Sequence, residues 1–166
     1  MHDWQSIEAR DQDLGTPELR ELADWLGRKP WHDLCLDFDV DRSYQELFSG
    51  KRLSTWLIHW GETADTGFHD HARSAAAVHV IRGRVRDERL KIGREPSGKE
   101  YGPGQTFTIE PSDIHRVLHT GDEPALTVHA YSPPLLQMGA YLVEPDGTLT
   151  RHTIDHTQEL RPLEVS

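Results

Sequence analysis

Apolar residues recur at helical spacing in one stretch near the start of the chain, where Leu19, Leu22, Ala23 and Leu26 share a face before Gly27 and Pro30 end the run. Just ahead, Thr16-Pro17-Glu18 reads as an N-cap, a proline at the first helical position and an acid in the first turn. This predicts a short amphipathic helix packed on the outside of a β domain. From about Leu34 the pattern changes to short alternating segments of β-branched and aromatic residues, separated by Ser49-Gly50, Gly102-Pro103-Gly104, Thr120-Gly121-Asp122 and Pro145-Asp146-Gly147. Strands are expected near Leu53 to Trp60, Val78 to Arg86, Glu88 to Gly93, Gln105 to Ile109, His115 to His119, Ala125 to Tyr131, Met138 to Glu144 and Thr148 to Ile154. Strands so short and evenly spaced predict an all-β sandwich or jelly roll, with a helical leader over about 1-30 and a barrel over about 34-155. No repeat, low-complexity tract or linker interrupts the chain, so residues 1-166 read as a single domain.

Composition narrows the partners. The net charge of −10 argues against nucleic acid and anionic membranes, both of which reward clustered Lys and Arg. No apolar run approaches the roughly 18 residues that a membrane helix needs. Met1-His2-Asp3-Trp4-Gln5 has neither a basic nor an apolar leader segment, which makes the cytoplasm the expected compartment. The single cysteine, Cys35, cannot form an internal disulfide, and a small buried or half-buried hydrophobe is its expected role.

The chemistry is concentrated in histidines. His69 and His71 are two apart, so on extended backbone both project from one face while Asp70 points away. His115 lies on a second expected strand. Three neutral imidazoles converging without a carboxylate suit a divalent transition metal with open positions. Among eleven histidines a His-x-His pair alone is a weak signal. On another strand Thr127, His129 and Tyr131 alternate along one face, while Leu126, Val128 and Ala130 form an apolar face opposite.

The spacing from His69-x-His71, through a gap of four residues to Ala76 and six more to Gly83, resembles the first motif of cupins. Ala76 stands where that motif has Glu. Trp60-Gly61-Glu62, His69-Asp70-His71, Ile114-His115-Arg116-Val117 and His129-Ala130-Tyr131-Ser132-Pro133-Pro134, in this order, are similar to landmarks of the thiol dioxygenases related to cysteine dioxygenase. The resemblance implies a cupin jelly-roll β-barrel. It also implies that His69, His71 and His115 hold a mononuclear Fe(II), and that Thr127, His129 and Tyr131 form a hydrogen-bonded relay in which Thr127 replaces the family's Ser. A small thiol and O2 would be the substrates and a sulfinic acid the product. A cis peptide is implied before Pro133.

Two departures stand out. Ala76 cannot form the thioether that mammalian members build between a cysteine at this position and their tyrosine, so Tyr131 is expected to remain a free phenol. The family's carboxylate-binding arginine, in a Tyr-x-Arg context, corresponds best to Tyr44-Gln45-Glu46, which places Glu46 where it would repel a carboxylate. Arg42, Arg73 and Arg116 are local substitutes. Each reads first as a solvated surface arginine, with Arg116 favoured because it belongs to the His-Arg-Val motif. His79 and His119 read as packing or hydrogen-bonding residues, Trp60 as core, and His152 and His156 as surface. The alternatives are a different oxidative outcome on cysteine or another thiol, or a non-catalytic cupin that binds a small ligand or a metal. A sugar-isomerising cupin is disfavoured by Ala76.

Overall fold

The computed structural model describes residues 3–31 and 34–164. Two antiparallel sheets face one another. One contains β1 (Arg42–Ser49), β2 (Ser54–Trp60), β4 (Ala75–Arg82), β7 (Thr106–Ile109) and β9 (Ala125–Ser132), in the order β1-β2-β9-β4-β7. The other contains β3 (His69–Asp70), β5 (Arg84–Lys91), β6 (Arg94–Tyr101), β8 (His115–Thr120), β10 (Gln137–Val143) and β11 (Leu149–Asp155), in the order β11-β10-β3-β8-β5-β6. Neighbours in sequence repeatedly lie apart in a sheet, which is how a jelly roll differs from a simple meander.

Alternation along the strands divides the buried residues into two layers. Ile58, Trp60, Ala76, Val78, Phe107, Val117 and Tyr131 face the barrel interior. Leu57, Ala77, Leu126, Val128 and Ala130 face outward and would meet water, but Leu19, Leu22, Ala23 and Leu26 of α2 (Thr16–Gly27) cover them. Each fully buried leucine contributes about 2 kcal/mol through the apolar area it removes from water. β9 is consequently buried along its whole length, between β2 and β4.

Several boundaries differ from the sequence reading. Gly15, not Thr16, caps α2, and its N–H donates to the Glu18 carboxylate at 3.1 Å. A second helix, α1 (Trp4–Glu8), precedes it. The expected strand from Val78 through Arg86 is broken at Gly83, which has φ +70 and leaves no room for a side chain: a Cβ there would lie 2.6 Å from the Ala125 Cα. The residues beyond join the expected Glu88 strand to make β5. β6 escaped notice because this edge strand is exposed almost throughout and has no hydrophobic period. Cys35 is exposed, contrary to its expected burial, because residues 34–37 lie over the surface without joining a sheet. Among the described residues no helix is long and apolar enough to cross a membrane.

Gly27 ends α2 against the buried ring of His79, whose Nδ1 bonds the Thr106 hydroxyl at 2.8 Å. A Cβ at Gly27 would approach His79 Cδ2 to 2.1 Å. Gly27→Ala should therefore cost about 2–3 kcal/mol in urea denaturation, the upper part of the range for overpacking. Gly93→Ala, where nothing lies within 4 Å and φ is +69, should cost about 1 kcal/mol of backbone strain. Equal losses would contradict the α2 contact.

Candidate metal centre

β3 is two residues long and wedged between β8 and β10, with His69 opposite His115 on one side and Ala140 on the other. His71 follows at the strand's end, and all three imidazoles are buried. His69 Nε2 lies 3.1 Å from His71 Nε2, and His115 Nε2 lies 3.3 Å from the same atom. Two nitrogens bound at right angles about 2.1 Å from one ion would lie roughly 3 Å apart. Among the described residues this is the cluster able to hold a metal. It contains no carboxylate: Ala76 is an enclosed core residue opposite Tyr131 and Ile109.

So short a strand needs an external clamp. Asp70 points away from the histidines and accepts from Tyr141 Oη at 2.7 Å, Arg151 Nε at 2.8 Å, Arg151 Nη2 at 3.0 Å and Ala72 N at 2.8 Å. Burial pushes the Asp70 carboxyl up, but these hydrogen bonds outweigh it and hold the group well below the usual carboxylate range. Arg151 reaches across Gly139, where a Cβ would come within 2.2 Å of its Nε. The clamp ties the edge of the sheet to the residue between two candidate ligands.

The tautomers follow from the partners. The Gly67 carbonyl accepts from His69 Nδ1 at 3.0 Å, and the Asp87 carboxylate accepts from His115 Nδ1 at 2.7 Å. Both rings therefore present a bare Nε2 inward. His71 could donate to one of them, but another lone pair still faces the same point. Burial is the main reason that His69 drops to about 4 and that His71 and His115 fall well below 6.5, so the set is neutral at physiological pH. A cation relieves this convergence of lone pairs, and neutral imidazoles are the form that binds one. The donor set fits a divalent transition metal.

Asp87 is itself anchored. Arg89 donates from Nε to Asp87 at 2.6 Å, from Nη1 to Asp113 at 2.6 Å and from Nη2 to the Thr108 carbonyl at 2.7 Å. Burial raises the Asp87 carboxyl, and the neighbouring guanidinium opposes that rise. Sequence reading missed Asp87, whose signal was a charged residue at an inward position of β5, between Val85 and Arg89.

On β9, Thr127, His129 and Tyr131 face inward as expected. Trp60 Nε1 donates to Thr127 Oγ1 at 2.8 Å, Thr127 Oγ1 bonds His129 Nε2 at 2.8 Å, and His129 Nδ1 bonds Tyr131 Oη at 3.0 Å. The indole can only donate. Among the described residues, His129 Nε2 is the acceptor paired with the Thr127 hydroxyl, so the chain is polarised from Trp60 toward Tyr131. Tyr131 then receives a hydrogen bond from His129, and its own O–H is free to turn toward the cavity. Burial lowers His129 to about 3, with His69 and Arg42 adding to the effect, and burial raises the Tyr131 phenol. Trp60 is thus core, as expected, and also the head of the relay. The Ser132–Pro133 peptide is cis, as the resemblance implied.

These groups line a cavity of about 330 Å³ whose walls include Val78, Val117, Leu135 and Met138. Arg42 lines it too, with its side chain only 2% exposed, which corrects the surface role expected for it. Arg116, the favoured arginine, instead faces outward on β8 and pairs with Asp65 and Glu88, because alternation turns His115 and Val117 inward. Arg73 is exposed. Glu46 is exposed and does not line the cavity, although it shares a face of β1 with Arg42 and Tyr44 and pairs with Trp56, which do. His79 bonds Thr106 and His119 bonds the Glu123 carbonyl, as expected of structural histidines. His152 is exposed, whereas His156 is half-buried and lines the cavity with residues 157–160, a segment the strand pattern did not mark.

Replacing the Asp87 carboxylate with a neutral amide weakens the acceptor behind His115 and sets an NH2 group against Arg89, so Asp87→Asn is expected to weaken metal binding by about 10- to 100-fold in competition with a chromophoric chelator. Unchanged affinity would remove Asp87 from the site. In the metal-free protein the ligand histidines have depressed folded values, so protonation favours the unfolded chain. Their stability contribution is complete above 6.5 and is lost as the pH falls toward about 4. Denaturation midpoints at neutral pH and midway through that interval should show the fall.

Residues 29–143 match the family model described as cysteine dioxygenase type I. Cysteine dioxygenase type 1 of Danio rerio is 29% identical over 93 residues, covering 50% of this chain and 46% of that protein, so the match spans less than half of the relative's length. A solved protein of Bacillus halodurans is 19% identical and covers 85% of this chain and 89% of its own, with a TM-score of 0.53. An RmlC-like cupin of Shewanella frigidimarina, 17% identical, covers 63% and 88% respectively with a TM-score of 0.51. These likenesses establish the jelly-roll cupin fold. With the family model matched over residues 29–143, the chain belongs to the cysteine dioxygenase type I family.

Proposed function

We propose that this protein is a mononuclear non-haem Fe(II) dioxygenase of the cytoplasm that oxidises the sulfur of cysteine or a related small thiol to a sulfinic acid. The observation that carries this reading is the meeting, in one cavity, of a carboxylate-free triad (His69, His71, His115) with the Tyr131 hydroxyl, held 3.0 Å from His129 Nδ1. Neutral ligands leave a metal's positive charge undiminished, which suits an anionic thiolate. Bound there, Fe(II) supplies the redox chemistry that lets dioxygen react with sulfur. The thiol and O2 combine as RSH + O2 → RSO2H, and the sulfur provides every electron that dioxygen takes up, so no external reductant enters.

The chain's own residues supply position and polarity. Tyr131 can donate its O–H to the substrate or to the oxygen being transferred, while His129 and Thr127 hold the phenol in place. Burial keeps Tyr131 protonated, and hence a donor, at any physiological pH. The apolar walls, Val78, Val117, Leu135 and Met138, lower the local dielectric and strengthen each of these hydrogen bonds. Arg42 is the cation lining the cavity, which favours thiols bearing a carboxylate.

Anaerobic loading with Fe(II), followed by oxygen uptake and product mass with cysteine, cysteamine, 3-mercaptopropionate and mercaptosuccinate, tests the reading. Carboxylate-bearing thiols should consume one O2 per thiol and give the sulfinate. No oxidation of any of them, or full activity in His115→Ala, would refute it. Tyr131→Phe should lower kcat by about 100-fold, the scale of a lost proton donor. Arg42→Gln should raise KM for carboxylated thiols by roughly 10- to 150-fold, since a hydrogen bond to a charged group is worth about 1.5–3 kcal/mol.

A further inference from the structure

Arg42 is incompletely satisfied. Its Nε donates to Glu159 Oε1 at 3.2 Å, whereas Nη1 is buried without a partner among the described residues. The guanidinium carbon lies 5.6 Å from the Trp60 ring centroid and 5.8 Å from that of Tyr44. A guanidinium is always charged and presents a rigid fork of donors, so a buried one with an open nitrogen is prepared for an acceptor.

Its existing partner comes from the segment beyond β11. Leu160 is buried in the barrel core, and the Pro162 backbone packs against Gly67, where a Cβ would lie 2.7 Å from Pro162 Cα. These contacts fix residues 156–160 along the cavity. Glu159 is 32% exposed, and its second oxygen accepts from Arg161 Nη2 at 2.7 Å. The carboxylate thus stands between a buried cation inside and an exposed one outside.

We propose that Glu159 is a specificity-determining residue that grades thiols by the charge of their head group. The proposal rests on the thiol-binding reading of the cavity. A carboxylate entering to meet the free Nη1 of Arg42 shares that guanidinium with Glu159, so each further negative charge on the ligand is opposed. An ammonium beside the ligand's carboxylate cancels the opposition. Zwitterionic thiols are therefore favoured over mono-anionic ones, and dianionic ones are rejected most. The filter is an electrostatic one and acts without touching the metal ligands.

Anaerobic calorimetry on the Fe(II)-loaded protein reads this directly, with cysteine, 3-mercaptopropionate and mercaptosuccinate as probes. Wild type should bind them in that order. Glu159→Gln should tighten 3-mercaptopropionate by roughly threefold to tenfold, a partly exposed charge pair being worth about 1 kcal/mol, and should tighten mercaptosuccinate more. It should leave cysteine unchanged or weaker, and Glu159→Asp should restore the wild-type order. Identical affinity ratios in wild type and Glu159→Gln would overturn the proposal, as would equal weakening of all three thiols. If the ratios shift but no thiol is oxidised in air, the dioxygenase reading fails and the filter stands. If thiols are oxidised and the ratios do not move, the filter alone fails.

Discussion

Inside the barrel, three buried imidazoles are directed at one point, with Nε2 atoms 3.1 Å and 3.3 Å apart. A proton on His71 Nε2 can join one pair of these nitrogens, but a further lone pair still faces the same point, and a cation there satisfies all three. The rest of the structure around the site serves to hold it. The Gly67 carbonyl and the Asp87 carboxylate fix two of the rings from behind. The Asp70 clamp keeps the two-residue β3 in register while Arg89 and Asp113 keep Asp87 in place. A site built this way is preorganised for a metal, with the cost of gathering its ligands met by folding.

β9 makes stability and chemistry inseparable. Its outward residues, Leu126, Val128 and Ala130, are the surface on which α2 packs. Its inward residues, Thr127 and His129, connect the Trp60 indole to the Tyr131 phenol. A one-residue slip of this strand would exchange the two sets, expose the relay to α2 and put leucine in the cavity. The hydrophobic contact with α2 therefore sets the register on which the relay depends. Trp60 joins the layers, since its ring belongs to the barrel core while its N–H gives the relay its direction.

What could be read from the sequence was local and periodic. The helix at Leu19 to Leu26, most of the strands, the His69 and His71 pair and the shared face of Thr127, His129 and Tyr131 follow from spacings of two or of three to four residues, whereas His115 joins the pair through the family resemblance of Ile114-His115-Arg116-Val117. What could not be read depends on pairing between distant segments. Arg42 carries no sign of burial in Asp41-Arg42-Ser43; it becomes a cavity residue because β1 lies beside β2 and because Glu159 arrives from more than a hundred positions away. Asp87 resembles any charge on an amphipathic strand until β5 pairs with β8 and brings it to His115. Arg116 was favoured for its motif, but alternation on β8 turns it outward. β6 has no hydrophobic signal because neither of its faces is buried.

As proposed, this cavity delivers both atoms of dioxygen to one sulfur. A turnover with cysteine or 3-mercaptopropionate under isotopically heavy dioxygen in ordinary water, with the product analysed by mass spectrometry, tests it most directly. Dioxygenation gives a sulfinate in which both oxygens carry the label. A product with one labelled oxygen, an unlabelled sulfinate, or a disulfide as the sole product would contradict it.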